Sequence, residues 1–103
     1  MPYKQADQYR NPYMTTDSVV FRVINNELNL LIITRGREPF KGYYAFPGGF
    51  VDYGEAPDIA SLRELKEETN LDATDVEVLT ILGDPARHPR KHIVSIVYVI
   101  KDA

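Results

Sequence analysis

The chain has 103 residues, is 44% apolar with 11% aromatic residues, and carries a formal net charge of −3. That length fits one domain with a small core, residues 1–103, and leaves no room for a second. The acidic balance argues against a nucleic-acid partner, because phosphate backbones are met by basic surfaces. The absence of cysteine excludes disulfides, thiolate metal sites and a cysteine nucleophile, and is compatible with a cytoplasmic setting. Residues 1–10 lack the apolar run of a secretory signal, and residues 93–100 are too short an apolar stretch to span a bilayer, so no membrane partner is expected.

Residues 1–14 are polar and tyrosine-rich, and read as an extended N-terminal arm. Residues 18–24 are β-branched and aromatic and predict a strand. Asn25-Asn26 suits a left-handed turn, so residues 28–34 read as the second arm of a hairpin. Residues 35–42, with two glycines and a proline, form a loop. Residues 43–46 predict a short strand that stops at Pro47-Gly48-Gly49, and residues 50–52 another, followed by a turn at Tyr53-Gly54. Residues 56–69 predict the one helix, with Pro57 suited to its first position and Asn70 to a left-handed stop. Residues 75–82 and 93–100 predict strands, joined by a basic loop over 84–92. Strands on both sides of a single amphipathic helix indicate a mixed α/β (α+β) domain.

At 100° per residue, Ile59, Leu62 and Leu65 share one stripe of the helix, which is expected to face the sheet. Glu64, Glu67 and Glu68 cluster on the opposite side, at spacings where like charges repel. One reading is a solvated acidic face. The other is a site for a hard cation, since Mg²⁺ and Mn²⁺ prefer oxygen ligands and metal would relieve the repulsion. Gly48-Gly49, just before the helix, either makes a tight turn or lets backbone groups approach a metal or phosphate closely. Glu55 lies about two turns before Arg63, so a contact between them would pin the loop to the helix.

Taken together, Gly49, Glu55, Arg63-Glu64-Leu65, Glu67-Glu68 and Asn70-Leu71 stand at the spacing G-x5-E-x7-R-E-U-x-E-E-x-G-U, with U a bulky apolar residue. This resembles the Nudix box, over residues 49–71, and departs from it only at Asn70, where the family usually has glycine. Asparagine can adopt the same left-handed cap, so a small stability cost is expected rather than lost chemistry. The stretch from Lys41 to Val51 also resembles the strand and loop that lead into the box. Pro85, 15 residues after Asn70, resembles the marker of a subgroup that hydrolyses ADP-ribose; it can also be an ordinary loop proline.

The resemblance implies a Nudix-like mixed β-sheet sandwich with the box helix packed on the sheet. It implies metal-dependent hydrolysis of a nucleoside diphosphate derivative, foremost ADP-ribose to AMP and ribose 5-phosphate, with Mg²⁺ or Mn²⁺ as cofactor. Glu64, Glu67 and Glu68 would hold the metal, joined by the Gly48 carbonyl. Glu64 and Glu67 would take part in activating water, while Arg63 and Glu55 would hold the box together. Arg35, Arg37, Phe46, Gly49, Pro85 and Arg87 are the candidate substrate contacts, with Arg90 a further basic residue in the same loop as Arg87. Nothing places His88 or His92 in catalysis.

Family members commonly continue with another strand and a helix, and several take their general base from a later glutamate. No glutamate follows Glu77. The expectation is that Glu64 or Glu67 activates water directly, or that this is a shortened form with an uncovered sheet face, for which a homodimer is one remedy. Two alternatives stand beside the enzyme: an ADP-ribose-sensing domain of a transcriptional regulator, and an inactive truncated domain. The intact acids favour the enzyme.

Overall fold

The computed structural model describes residues 9–38 and 40–101. The reading of residues 1–8 as part of an arm lies outside them. The elements in chain order are β1 (Tyr13–Ile24), β2 (Glu27–Leu30), β3 (Ile33–Thr34), β4 (Tyr44–Ala45), β5 (Gly48–Phe50), α1 (Pro57–Thr69), β6 (Val76–Leu82), a single 3-10 turn (Pro85–Arg87) and β7 (Ile93–Lys101).

The main sheet runs β2-β1-β7-β6, with β5 also paired to β1; β3 and β4 form a separate two-stranded sheet. β1 and β7 are parallel, and β1 is antiparallel to both β2 and β5, so the sheet is mixed as expected. β1 begins five residues before its predicted start because pairing with β7 already holds at Tyr13↔Ile93. Tyr13 and Met14 therefore belong to the sheet and not to an arm. Asn25 and Asn26 adopt φ of 50° and 64°, the left-handed pair that a tight hairpin turn requires. The predicted second arm over 28–34 is broken into β2 and β3, since its last part leaves β1 to pair with β4.

Side chains along β1 alternate in burial: Thr16, Ser18 and Val20 are buried and their neighbours are not. This period of two defines one core face. α1 lies on that face, where Ser18 Oγ meets Ser61 Oγ at 2.9 Å. Val20, Leu65 and Ile100 form the buried centre, with Leu31, Leu62, Leu71, Ala73 and Val76 packed around it. Burying a leucine such as Leu65 contributes about 1.5–3 kcal/mol.

The helix starts at Pro57, whose missing N–H costs nothing at the first position. It stops at Asn70, left-handed at φ 62°, whose N–H reaches Lys66 O at 2.9 Å. The predicted apolar stripe is rotated: Leu62 and Leu65 face the sheet, but Ile59 is 54% exposed. Ala60 and Ser61 are fully buried in its place, and their small side chains let the helix lie close to β1. No helix among the described residues is long and apolar enough to cross a membrane. Val78, Leu79 and Ile81 on the edge strand β6 are more than half exposed.

Candidate active site

The site is built between α1 and β5, around one arginine. Arg63 Nε donates to Glu55 Oε2 at 2.7 Å and Nη2 donates to Glu55 Oε1 at 2.9 Å. This two-pronged pair matches the planar guanidinium to the planar carboxylate. Nη1 donates to Glu64 at 2.9 Å and, more loosely, to Glu67 at 3.3 Å. Nη2 also reaches the Phe50 carbonyl at 3.1 Å. Glu55 in turn accepts from the Asp52 N–H at 3.0 Å, and its own N–H bonds the Asp52 carbonyl. Arg63 thus ties the helix both to the loop, through Glu55, and to the end of β5, through Phe50. The Arg63 guanidinium, and then the Asp52 N–H, hold the Glu55 carboxyl down at about 2. The same contacts, Glu55 first, hold Arg63 above its usual range.

Two consecutive glycines make room for the acids. A Cβ at Gly49 would meet both Glu64 carboxylate oxygens, at 2.7 and 2.8 Å. A Cβ at Gly48 would strike the Thr16 carbonyl and come within 2.9 Å of Asp17 Oδ1. The glycines are neither a plain turn nor a preface to a strand over 50–52. They are the first two residues of β5, paired as Asp17↔Gly48 and Thr16↔Gly49. Inside this strand the Gly48 N–H is free to donate to Glu68 Oε1 at 3.0 Å.

Glu68 is pushed up to about 7, chiefly by burial, with the Gly48 N–H pulling the other way. The charges of Glu64 and Glu67, and a hydrogen bond shared with Glu64, raise it further. Three carboxylates crowded onto one helix end make a donor set suited to a hard cation. Among the described residues, no three His, Asp or Glu side chains already converge as ligands. Arg63 and the Gly48 N–H hold the acids instead. The donor chemistry nevertheless fits Mg²⁺ or Mn²⁺, because Gly49 leaves a cradle at Glu64 that any side chain would fill.

The other predicted residues are distributed less closely. Arg87 is clasped within its own loop: Nη1 donates to Leu82 O at 2.6 Å and Ile93 O at 3.2 Å, and Nη2 to Ser95 Oγ at 3.4 Å. Pro85 opens the 3-10 turn that carries Arg87 there, with Asp84 capping it through the Ala86 N–H at 2.9 Å. Arg35 and Arg37 stand in the β3–β4 loop, where backbone bonds join Arg35 to Gly42 and Tyr43. Phe46, with Ile32, Tyr44 and Ala45, lines a small cavity of about 200 Å³. His92 Nε2 sits 2.9 Å from Gly83 O, a contact that closes its loop. A residue beside Gly48 that the sequence reading did not single out is Asp17. An acid in a β-strand beside two buried hydroxyl residues is itself an unusual pattern and was the available signal.

An arginine-pinned loop, glycines cleared for carboxylates and a row of glutamates on one helix are the box residues read in the sequence, brought together between β5 and α1. The NUDIX domain model matches residues 14–103, and the chain belongs to the Nudix family. It is 39% identical over 97 residues to an ADP-ribose pyrophosphatase of Methanocaldococcus jannaschii, covering 94% of this chain and 55% of that one. It is 36% identical over 98 residues to an ADPR-responsive transcriptional repressor of Acinetobacter baylyi, covering 93% of this chain and 39% of that one. The chain therefore spans about half the length, or less, of these relatives. The structure resembles the Nudix domain of Shewanella oneidensis NrtR in complex with ADP-ribose, with a TM-score of 0.85, 27% identity, and coverage of 97% of this chain and 66% of that one.

Proposed function

We propose that this domain hydrolyses the diphosphate of ADP-ribose or a closely related nucleoside diphosphate derivative, releasing AMP and ribose 5-phosphate, with Mg²⁺ or Mn²⁺. The observation that carries this reading is the placing of Glu64 against Gly49 and of Glu68 on the Gly48 N–H, with Glu67 held beside them by Arg63. The ADP-ribose chemistry named for the relatives supports the substrate class.

Glu64 and Glu68 would hold the metal, with the Gly48 carbonyl as a backbone ligand. A cation held there would neutralise diphosphate charge and supply Lewis acidity toward the attacking water. Glu67 is the most exposed of the acids interacting with Arg63 on α1, at 57% against 16% for Glu64, and its hold on Arg63 is the looser one. That freedom suits it to take a proton from the attacking water. Arg63 and Glu55 touch neither water nor substrate in this scheme; they fix the loop so that Gly49 stays beside Glu64. Phe46, at the rim of its small cavity, is a candidate surface for the nucleobase.

A second reading is favoured by the repressor among the relatives: an ADP-ribose-binding domain that does not cleave. The two separate on one experiment. Purified protein with Mg²⁺ is given ADP-ribose, and AMP is quantified alongside calorimetric binding. Turnover that disappears in Glu68→Gln supports the hydrolase. Binding without turnover supports the sensor.

A further inference from the structure

Asp17 lies in the middle of β1, on the face opposite α1. Its neighbours Thr16 and Ser18 are buried on the helix side, where Ser18 meets Ser61. Its next same-face neighbour, Thr15, meets Ser95 Oγ at 2.7 Å across the sheet, and Ser95 also receives Arg87. Asp17 is paired with Gly48, and its carboxylate fills the space where a Gly48 side chain would stand. Gly48 is therefore gripped from both directions: Glu68 holds its N–H and Asp17 flanks its Cα.

The carboxylate is half-buried, yet among the described residues no group donates a hydrogen bond to it. Burial raises its pKa, and the charges of Arg87 and His88 oppose that rise. Asp17 meets the Gly48 side of β5 while Glu64 meets the Gly49 side, so Asp17 is not a fourth member of the Glu64–Glu68 cluster. Arg87 compensates part of its charge but spends three hydrogen bonds on Leu82, Ile93 and Ser95. What remains is a carboxylate with open acceptor positions, paired with Gly48, whose N–H bonds Glu68. A carboxylate repels phosphate, so the substrate part that fits it is the one rich in donors. A ribose supplies a pair of adjacent hydroxyls, which a carboxylate accepts with both oxygens.

We propose that Asp17 is a specificity-determining residue that accepts hydrogen bonds from ribose hydroxyls of the bound nucleoside diphosphate derivative. This rests on the reading under Proposed function that the diphosphate lies at Glu64 and Glu68. It places one sugar across the β5 edge, on the sheet face that α1 does not cover, between Gly48 and the loop carrying Arg87.

The test uses the full chain with Mg²⁺, Asp17→Asn as the isosteric variant and Asp17→Ser as a second, with thermal melting to establish folding. KM and kcat are measured for ADP-ribose and for analogues lacking one hydroxyl on either ribose; calorimetric affinity is the readout if binding occurs without turnover. The wild type is expected to reject one deoxy analogue by about tenfold or more, and the folded variants to lose both that rejection and a similar factor in KM, with kcat much less changed. Variants that fold and keep the wild-type KM and the wild-type rejection overturn the assignment of Asp17 while leaving the hydrolase reading intact. A wild type that neither cleaves nor binds ADP-ribose overturns the underlying reading, and this inference with it.

Discussion

Arg63 and Glu55 stand eight residues apart and close a two-pronged ion pair at 2.7 and 2.9 Å, which makes the loop before α1 an extension of the helix. Lysine can supply a charge there but not two parallel N–H groups. Arg63→Lys is therefore expected to lower the melting temperature and to reduce turnover by about 10–100-fold, because Gly49 and Glu64 lose their common anchor. Melting curves and steady-state rates measure the two effects. Unchanged turnover in this variant would mean that the pair is ornamental to the chemistry.

Gly48 and Gly49 are adjacent, but alanine is expected to act differently at each. At Gly49 the new methyl meets the flexible end of Glu64, so the carboxylate swings away, the fold survives and metal affinity falls. At Gly48 it meets the Thr16 backbone carbonyl, which cannot move without shifting β1, so stability falls by about 1–3 kcal/mol. Chemical denaturation together with a metal titration separates the two. Equal stability losses in both variants would contradict the cradle at Glu64.

Glu68 gives the metal-free protein a pH signature. Its pKa is raised from 4.5 to about 7 in the folded state, so between those values the folded chain holds a proton that the unfolded chain releases. Its contribution is fully present below pH 4.5 and is lost as pH rises through about 7. Glu68→Gln is expected to remove that decline while keeping the fold, and to lower turnover by about 100-fold or more. Mg²⁺ replaces the proton, so at 100 times its dissociation constant it should stabilise by about 2.7 kcal/mol, roughly 10–20 °C in Tm. A melting temperature indifferent to Mg²⁺ in the wild type would sink the metal assignment.

Thr16 offers a test of the core alone. Its hydroxyl is buried with no hydrogen-bond partner among the described residues. Valine has nearly the same shape and no polar atom to leave unsatisfied, so Thr16→Val is expected to raise stability by about 1 kcal/mol. A loss of stability on denaturation would show that the hydroxyl is satisfied in solution.

The parts of this molecule legible in the sequence are those set by local chemistry. Pro57 and Asn70 bracket the helix because each suits one kind of helix end, and Asn25-Asn26 marks its hairpin for a similar reason. The Arg63–Glu55 contact was legible because Glu55 stands just before the helix start at Pro57, about two helical turns ahead of Arg63. What depended on distant partners was not legible. The early start of β1 is set by β7, 80 residues away, and the strand identity of Gly48-Gly49 by pairing with β1. The rotation that exposes Ile59 reflects how closely Ala60 and Ser61 let the helix approach. Arg87 read as a candidate substrate contact because sequence does not show the carbonyls of Leu82 and Ile93 turning toward it. Asp17 was passed over because its significance comes from Gly48 on a neighbouring strand.

The most direct measurement is release of AMP from ADP-ribose by the purified 103-residue chain, with and without Mg²⁺. Release that requires the metal and vanishes in Glu68→Gln is the expected result, and it would show that these residues contain their own base. A folded chain that binds Mg²⁺ yet releases no AMP would contradict hydrolysis at the Glu64–Glu68 site.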